Sequence, residues 1–193
     1  LWSHRSWLGA LAGSGLLAAG LAARSRASAR ARVIVVGGGF GGATVVRCLA
    51  RFAPWVQVTL VEPDGHYTAC PMSNAVIGGL RGLDSLRADY TALAAPTAVR
   101  RVRARARHID HARSRLILED GSAMGYDRLV VAPGVRMLEN APQGYDAEAA
   151  RRLPHAWQAG PQTRRLRDAL QRLDDGAVIG ITVPPRPFRC PPG

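Results

Sequence analysis

Apolar and polar positions follow a strand–helix–strand order in the part of the chain that begins near residue 32. Arg32–Val36 is a short run of β-branched residues, and Val56–Leu60 alternates apolar with polar positions, as a strand does. Between them, residues 43–52 have a helical pattern that Pro54 ends. The pattern predicts a strand, a helix and a second strand, which is the beginning of a parallel α/β sheet.

Further strands are predicted in the middle of the chain. Residues 99–107 alternate arginine with valine or alanine, which predicts one strand with a solvated face at a sheet edge. Arg115–Glu119 predicts a short strand, and Asp120-Gly121 after it is a turn signal. Residues 126–134 predict a buried strand that ends in Ala-Pro-Gly.

The last part of the chain predicts the start of another domain. Residues 151–173 carry leucines at helical spacing, and residues 177–183 predict a strand after a turn. We therefore expect one domain over residues 30–150 and a connecting helix with the truncated start of a second α/β domain over residues 151–193.

The connection between the first strand and the first helix is rich in glycine. Gly37, Gly39 and Gly42 form the motif G-x-G-x-x-G, and Glu62 follows Gly42 by 20 residues at the end of the second strand. Gly37 allows a tight turn, Gly39 lets the backbone approach a pyrophosphate, and Gly42 lets the helix pack against the strand. Glu62 can accept hydrogen bonds from a ribose diol and would repel a 2′-phosphate, which argues against NADP. The fold class predicted is α/β, with a Rossmann-like dinucleotide-binding domain made of a parallel sheet plus a β-meander.

Composition narrows the functional classes. The chain has 26 basic and 14 acidic residues, for a net charge of +12, and every Lys or Arg position is arginine. We attribute the arginines to genome composition and expect no nucleic-acid partner, because no aromatic residues interleave with them in residues 99–107. Cys48, Cys70 and Cys190 are too scattered for a disulfide scaffold or a zinc site, and we expect no metal. Cys48 is expected to be a small core residue.

The N-terminus has the features of an export signal. Residues 7–23 carry no charge, basic residues flank them, and Ala27-Ser28-Ala29 is a small-x-small cleavage site. Ser3–Leu8 resembles a twin-arginine motif with one arginine replaced by histidine. We therefore predict a signal over residues 1–29 and a periplasmic protein, with an uncleaved membrane anchor as the alternative. Removal of the signal takes away three arginines and no acids, which leaves a charge of +9.

From Arg32 to Gly193 the sequence resembles the flavoprotein subunits of flavocytochrome c sulfide dehydrogenases, which are relatives of sulfide:quinone oxidoreductases. The resemblance spans roughly the first half of such a subunit. Besides the glycine motif it rests on short blocks, which are Glu62-Pro63, Cys70-Pro71-Met72-Ser73-Asn74, Val76-Ile77-Gly78-Gly79, Tyr126-Asp127-Arg128, Ala132-Pro133-Gly134, Leu153-Pro154-His155-Ala156-Trp157 and Phe188-Arg189-Cys190-Pro191-Pro192-Gly193.

The resemblance implies the cofactor FAD, held covalently through Cys70. It also implies that Cys190 is the catalytic member present here of a redox-active cysteine pair. Ala106 matches a strand position whose backbone faces the adenine. The FAD-binding residues that follow from the motif and the resemblance are Gly37, Gly39, Phe40, Gly42, Glu62, Cys70, Ala106, Ala132 and Gly134.

The function implied by the resemblance is oxidation of sulfide with transfer of electrons to a c-type cytochrome subunit. We expect no NAD site, because prolines dominate residues 184–192 and donate no N–H to a pyrophosphate. Two alternatives stay open: a sulfide:quinone oxidoreductase, and an inactive FAD-binding fragment. The missing second cysteine favours the latter for this chain alone, which we expect not to turn over sulfide.

Overall fold

A computed structural model describes residues 30–95, 99–137 and 143–182; the predicted signal and Cys190 lie outside these residues. The strands in the described part are β1 Arg32–Val36, β2 Gln57–Val61, β3 His66–Thr68, β4 Arg87–Asp89, β5 Val99–Val102, β6 Ala106–Asp110, β7 Arg115–Leu118, β8 Ala123–Gly125 and β9 Arg128–Val131. The α-helices there are α1 Phe40–Phe52, α2 Ser73–Ile77, α3 Thr91–Ala94, α4 Ala147–Arg152 and α5 Pro161–Gln171, and Leu83–Leu86 forms a 3₁₀ turn. None of the helices in the described residues has the length and apolarity needed to cross a membrane.

A four-stranded parallel sheet in the order β5-β2-β1-β9 forms the centre of the first compact unit. β1 is central and its residues Ile34 and Val35 are almost completely buried, on opposite faces because side chains alternate along a strand. The continuous apolar run in β1 is what a parallel strand covered on both faces requires. The predicted parallel sheet is confirmed.

The β-meander covers one face of this sheet. β6, β7 and β8 pair antiparallel in that order. Ile34 and Val36 of β1 form one core cluster with Val61, Leu116 and Leu118. Complete burial of each such side chain is worth about 1.5–3 kcal/mol, so this cluster holds the meander on the sheet. The predicted α/β fold with a parallel sheet plus a β-meander is therefore confirmed.

The described residues divide into two compact units that alternate along the chain. The first contains residues up to Glu62 together with Leu93–Ala132; the second contains Pro63–Ala92 and the residues from Pro133 onward. In the second unit β3 and β4 form a hairpin, and a small core cluster contains Val76, Leu83 and Leu86. The domain boundary predicted between residues 150 and 151 stays a prediction.

The single strand predicted over residues 99–107 is wrong, because the chain changes sheets there. β5 pairs with β2 in the parallel sheet, whereas β6 pairs with β7 in the meander, and residues 103–105 lie outside both strands. The alternation of arginines continues through the change, so the pattern does not reveal it. The predicted position at a sheet edge is correct for β5.

The predictions for the C-terminal part also need correction. Residues 151–173 form the end of α4 and all of α5, separated by a stretch that contains Pro154 and Gly160. Proline disfavours the helical conformation of the residue before it, which explains the end of α4. Residues 177–182 are exposed and outside any strand, since no strand in the described residues pairs with them. The strand predicted over 126–134 is β9, which is only half-buried.

Candidate functional site

The glycine motif forms a tight turn at the carboxyl ends of β1 and β2. Gly37 has a φ of 94°, which favours glycine, and its N–H donates to the carbonyl of Val61 at 2.9 Å. The N–H of Gly38 donates to Oε2 of Glu62 at 2.7 Å. Both bonds tie the turn to the end of β2, so the turn conformation is fixed by the neighbouring strand.

Gly42 lets the first turn of α1 lie directly against this loop. A Cβ atom on Gly42 would lie 1.8 Å from the carbonyl oxygen of Gly37 and 3.4 Å from Cγ1 of Val35. No side chain can be accommodated at such a distance from a backbone oxygen. Gly41 is different, because a Cβ there would lie 3.9 Å from Cβ of Ala132, an ordinary contact.

The N-terminus of α1 has the properties of an anion site. Its N-cap is Gly39, so no side chain caps the helix, and its first turn carries no acidic residue. Backbone N–H groups and the positive end of the helix dipole attract phosphate at such a position. The glycine cradle and the uncapped helix therefore fit the pyrophosphate of a dinucleotide. Phe40, the first helical residue, is 59% exposed.

Glu62 lies where the ribose-binding acid was predicted. Its N–H donates to the carbonyl of Val102 at 3.0 Å, which fixes the residue at the end of β2 beside β5. Its carboxylate holds the N–H of Gly38, a contact that the sequence analysis did not anticipate. Two carboxylate oxygens offer about four acceptor positions, so this contact is compatible with acceptance of ribose hydroxyls.

Cys70 lies in the second unit, in the turn before α2. Its thiol is half-buried, and Sγ donates to the carbonyl oxygen of Trp157 at 3.5 Å. Sγ also lies 4.0 Å from Oγ of Ser73, whose N–H donates to the carbonyl of Cys70. Met72 between them has a φ of 70°, an unusual value for a residue with a side chain. The turn thus places the thiol beside the Trp157 carbonyl and the Ser73 hydroxyl.

Trp157 and Ser73 were not identified as site residues from the sequence. Both belong to blocks that carried the family resemblance, Cys70–Asn74 and Leu153–Trp157. The contact between Cys70 and Trp157 shows that these distant blocks meet in the fold. The presence of both family-specific blocks in one chain is the sequence signal from which a contact between Cys70 and Trp157 could have been predicted.

His155 lies two residues before Trp157 and is partly buried. Its Nδ1 atom is buried and has no hydrogen-bond partner among the described residues. Burial disfavours the imidazolium and lowers the pKa of His155 below its ordinary value of 6.5. The ring is therefore neutral near pH 7.

The remaining predicted residues occupy several places. The N–H of Ala132 donates to the carbonyl of Val36 at 2.8 Å, next to the glycine turn. Gly134 has a φ of 76°. Ala106 begins β6 and packs against the Leu116–Leu118 cluster, so only its backbone is available for the predicted adenine contact.

Cys48 is exposed, so the prediction that it is a core residue is wrong. The polar side of α1, with Arg47 and Arg51, includes this position.

A parallel sheet, a G-x-G-x-x-G turn at the carboxyl ends of its strands and an acid at the end of β2 define a dinucleotide-binding protein. The family model for pyridine nucleotide-disulphide oxidoreductases matches residues 31–180, and the chain belongs to this family. It is a flavoprotein of this superfamily, and family membership implies FAD as the cofactor.

Individual proteins are similar to the chain in sequence or in fold. The chain is 56% identical over 45 residues to the flavoprotein chain of sulfide dehydrogenase (flavocytochrome c) from Chlorobaculum thiosulfatiphilum. The matched segment covers 23% of this chain and 94% of that sequence. Its fold is similar to the sulfide:quinone oxidoreductase of Aquifex aeolicus, with a TM-score of 0.58, 20% identity and 73% of this chain covered. It is also similar to a persulfide reductase from A. fulgidus, with a TM-score of 0.50, 24% identity and 61% of this chain covered. The chain spans 32% of the Aquifex protein and 24% of the A. fulgidus protein.

Proposed function

We propose that this chain is the FAD-binding part of an exported sulfide dehydrogenase that passes electrons to a c-type cytochrome. The observation that carries the proposal is the 56% identity with the sulfide dehydrogenase flavoprotein chain over 45 residues. Membership of the disulphide oxidoreductase family supports the oxidoreductase class. FAD, when bound, supplies the chemistry that links a two-electron donor to a one-electron acceptor.

The first unit provides the proposed contacts to FAD. Backbone N–H groups at Gly39 and Phe40, together with the dipole of α1, bind the pyrophosphate. The carboxylate of Glu62 accepts hydrogen bonds from the ribose hydroxyls, and Ala132 lies beside the first turn of α1. The backbone of Ala106 in the first unit and that of Gly134 in the second unit complete the proposed set.

Cys70 is proposed to be the residue that would hold the flavin covalently, through its sulfur. The Trp157 carbonyl and the Ser73 hydroxyl contact the thiol and orient it. In the denatured protein, yellow colour should therefore stay with the acid precipitate of the wild type and wash out of Cys70→Ser. Cys48→Ser is the matched control, because Cys48 is exposed on α1, and it should retain the colour. Colour lost from the wild type would contradict the covalent link.

Cys190 is proposed as one half of the redox-active disulfide. Hydrosulfide attacks the disulfide, so that one cysteine becomes a persulfide and the other leaves as a thiolate, with no change in the number of electrons. Arg189 next to Cys190 in the sequence favours the thiolate form. The chain's part in this step is to stabilise the leaving thiolate.

The proposed activity is tested with protein expressed from the complete gene. Sulfide should reduce cytochrome c in a reaction that depends on the flavoprotein, and Cys190→Ser should lower the rate to background while the visible flavin spectrum is retained. Reduction of a soluble quinone without reduction of cytochrome c would contradict the proposed acceptor. Oxidation of NADH instead of sulfide would contradict the proposed donor.

Export is part of the proposal and rests on the pattern of residues 1–29. Fractionation of cells that express the complete gene should place the protein in the periplasm. Replacement of Arg5 by Gln, which removes the remaining arginine of the motif in Ser3–Leu8, should leave it in the cytosol. Periplasmic protein in the Arg5→Gln strain would contradict the twin-arginine route.

A further inference from the structure

A polar cleft lies in the first unit at the amino ends of β1 and β9, whereas the glycine turn follows the carboxyl end of β1. It has a volume of about 790 Å³ and is open to solvent. The side chains that matter for its chemistry are Arg32, Arg113, Arg115, Arg128, Ser114 and Asp127. We call it the arginine cleft.

The arginine cleft is separate from the predicted cofactor site. Arg32 begins β1 and Arg128 begins β9, and these two strands run parallel. The glycine turn follows the other end of β1, after Val36. Four residue steps along a strand place the two ends roughly 13 Å apart.

Carboxylates hold part of the arginine cleft in place. Asp127 accepts from the backbone N–H of Arg32 at 2.7 Å and forms an ion pair with its guanidinium at 3.4 Å. Asp110 holds Arg113 at 3.2 Å. The backbone hydrogen bond from Arg32 is the main reason that the pKa of Asp127 is lowered, which keeps this carboxylate charged.

Arg115 and Arg128 are the remaining arginines of the cleft, and the positive charge of Arg128 contributes to the lowered pKa of Asp127. Neither forms an ion pair with a carboxylate anywhere in the described residues. One nitrogen of Arg128 donates to the carbonyl of Asp127 at 2.7 Å, which orients its guanidinium beside the cleft. Four arginines and one aspartate among the lining residues leave an excess of positive charge.

The turn that carries two of these arginines is unusually constrained. Ser114 has a φ of 49°, in the left-handed region that residues with side chains rarely adopt. Its N–H donates to the carbonyl of His111 at 3.3 Å, and its own carbonyl accepts from the N–H of Tyr126 at 3.0 Å. This arrangement fixes the backbone from which Arg113 and Arg115 extend over the cleft.

We propose that the arginine cleft binds an oxyanion with two negative charges, such as a phosphate or sulfate group. Guanidinium groups present paired N–H donors in a plane, which matches two oxygens of a tetrahedral oxyanion. The lining is polar and concave, so it suits a small hydrated anion better than the broad surface of an acidic protein. This site is independent of the proposed function.

Amide NMR spectra of the full chain during titration with inorganic phosphate test the proposal. Saturable shifts are expected at residues 113–115 and 125–128. The double variant Arg115→Gln/Arg128→Gln should weaken this binding at least tenfold, because two charge-assisted contacts are lost. Arg100→Gln/Arg103→Gln removes the same charge from exposed positions of the same unit and should leave the affinity unchanged. The titration is repeated with glycerol 3-phosphate, a phosphate ester. Tighter binding of the ester identifies an esterified phosphate group as the ligand, and tighter binding of inorganic phosphate identifies the free ion.

Three results would overturn the proposal. Shifts confined to Gly37–Gly39 would place the anion at the glycine turn. Equal weakening by both double variants would indicate attraction to the overall positive charge. Saturable binding of an acidic peptide without any binding of phosphate would identify a protein partner instead.

Discussion

At the scale of single residues, Gly42 occupies a position of the candidate site that leaves no room for a side chain. A Cβ atom on Gly42 would meet both the turn before it, at Gly37, and the strand beneath it, at Val35. A residue in this position affects folding and cofactor binding together, because the same turn is proposed to hold the pyrophosphate.

Gly42→Ala should destabilise the protein, whereas Gly41→Ala should not. The new Cβ of Gly42→Ala would overlap the carbonyl of Gly37, and overpacking of this kind costs about 1–3 kcal/mol. Gly41 is also in the first turn of α1 but has room, and alanine there gains up to about 1 kcal/mol of helix propensity. Urea denaturation gives the free energy of unfolding of both variants. Equal stability of the two would contradict the contact between Gly42 and Gly37.

His155 should make stability depend on pH in the mildly acidic range. Burial lowers the pKa of folded His155 below its ordinary value of 6.5, so the unfolded chain binds more protons than the folded chain below that pH. The free energy of unfolding is therefore free of this proton effect above about pH 6.5, and it decreases as the pH falls toward the pKa of folded His155. His155→Gln should flatten the change in urea midpoint between pH 7 and pH 5.

His66→Gln is the matched control, because His66 is exposed on β3. It should leave the pH dependence of the urea midpoint as it is in the wild type. If His155→Gln and the wild type lose the same free energy of unfolding between pH 7 and pH 5, burial does not lower the pKa of His155.

At the scale of elements, the start of α5 depends on one hydroxyl group. Pro161 occupies the first helical position, and Oγ1 of Thr163 accepts from the N–H of Gly160 at 3.1 Å. Thr163 is only 2% exposed, so water cannot replace this bond. The glycine, the proline and the buried threonine together define where the helix begins.

Thr163→Val should weaken the start of α5 while it keeps the shape of the side chain. The substitution leaves the N–H of Gly160 without its acceptor, at a cost of about 1–3 kcal/mol. Amide hydrogen exchange at Gly160 should be faster in Thr163→Val and unchanged in Thr163→Ser, which retains the hydroxyl. Unchanged exchange in the valine variant would show that the hydroxyl does not protect this group.

The elements that the sequence predicts well are those whose signal is local. β1, α1 and β2 combine apolar periodicity with a motif that requires one turn geometry, and the predicted order is the observed one. The break between β5 and β6 could not be predicted, because it depends on which partner strand lies alongside rather than on the residues themselves. The same reason explains residues 177–182, where a strand-like sequence has no partner among the described residues.

The candidate site shows a similar division. The positions of Gly37, Gly42 and Glu62 follow from spacing, because the turn length between a strand and a helix is fixed. The contact between Cys70 and Trp157 joins residues 87 positions apart, and periodicity carries no information at that separation. Tertiary contacts of this kind could be suggested only by the family resemblance of the two blocks.

At the scale of the whole molecule, the position of signal cleavage decides which residues before β1 remain in the folded protein. Cleavage after Ala27-Ser28-Ala29 leaves Arg30 as the first residue. The sequence Ala29-Arg30-Ala31 offers a second small-x-small site, which leaves Arg32 as the first residue. The two positions differ in one contact of the folded protein, because the carbonyl of Ala31 accepts from the N–H of Gln57 at 2.9 Å. Cleavage before Arg32 would remove this bond at the start of the β1–β2 pair.

We therefore predict that the mature protein begins at Arg30. Cleavage there keeps the bond between the Gln57 N–H and the Ala31 carbonyl. Loss of one backbone hydrogen bond costs about 0.5–1.5 kcal/mol, so the form that begins at Arg30 is the more stable of the two. N-terminal sequencing of periplasmic protein should give Arg-Ala-Arg-Val. Ala29→Leu replaces the small residue before Arg30 by a large one and should shift cleavage or stop it. A mature N-terminus at Arg32 in the unaltered protein would contradict the prediction.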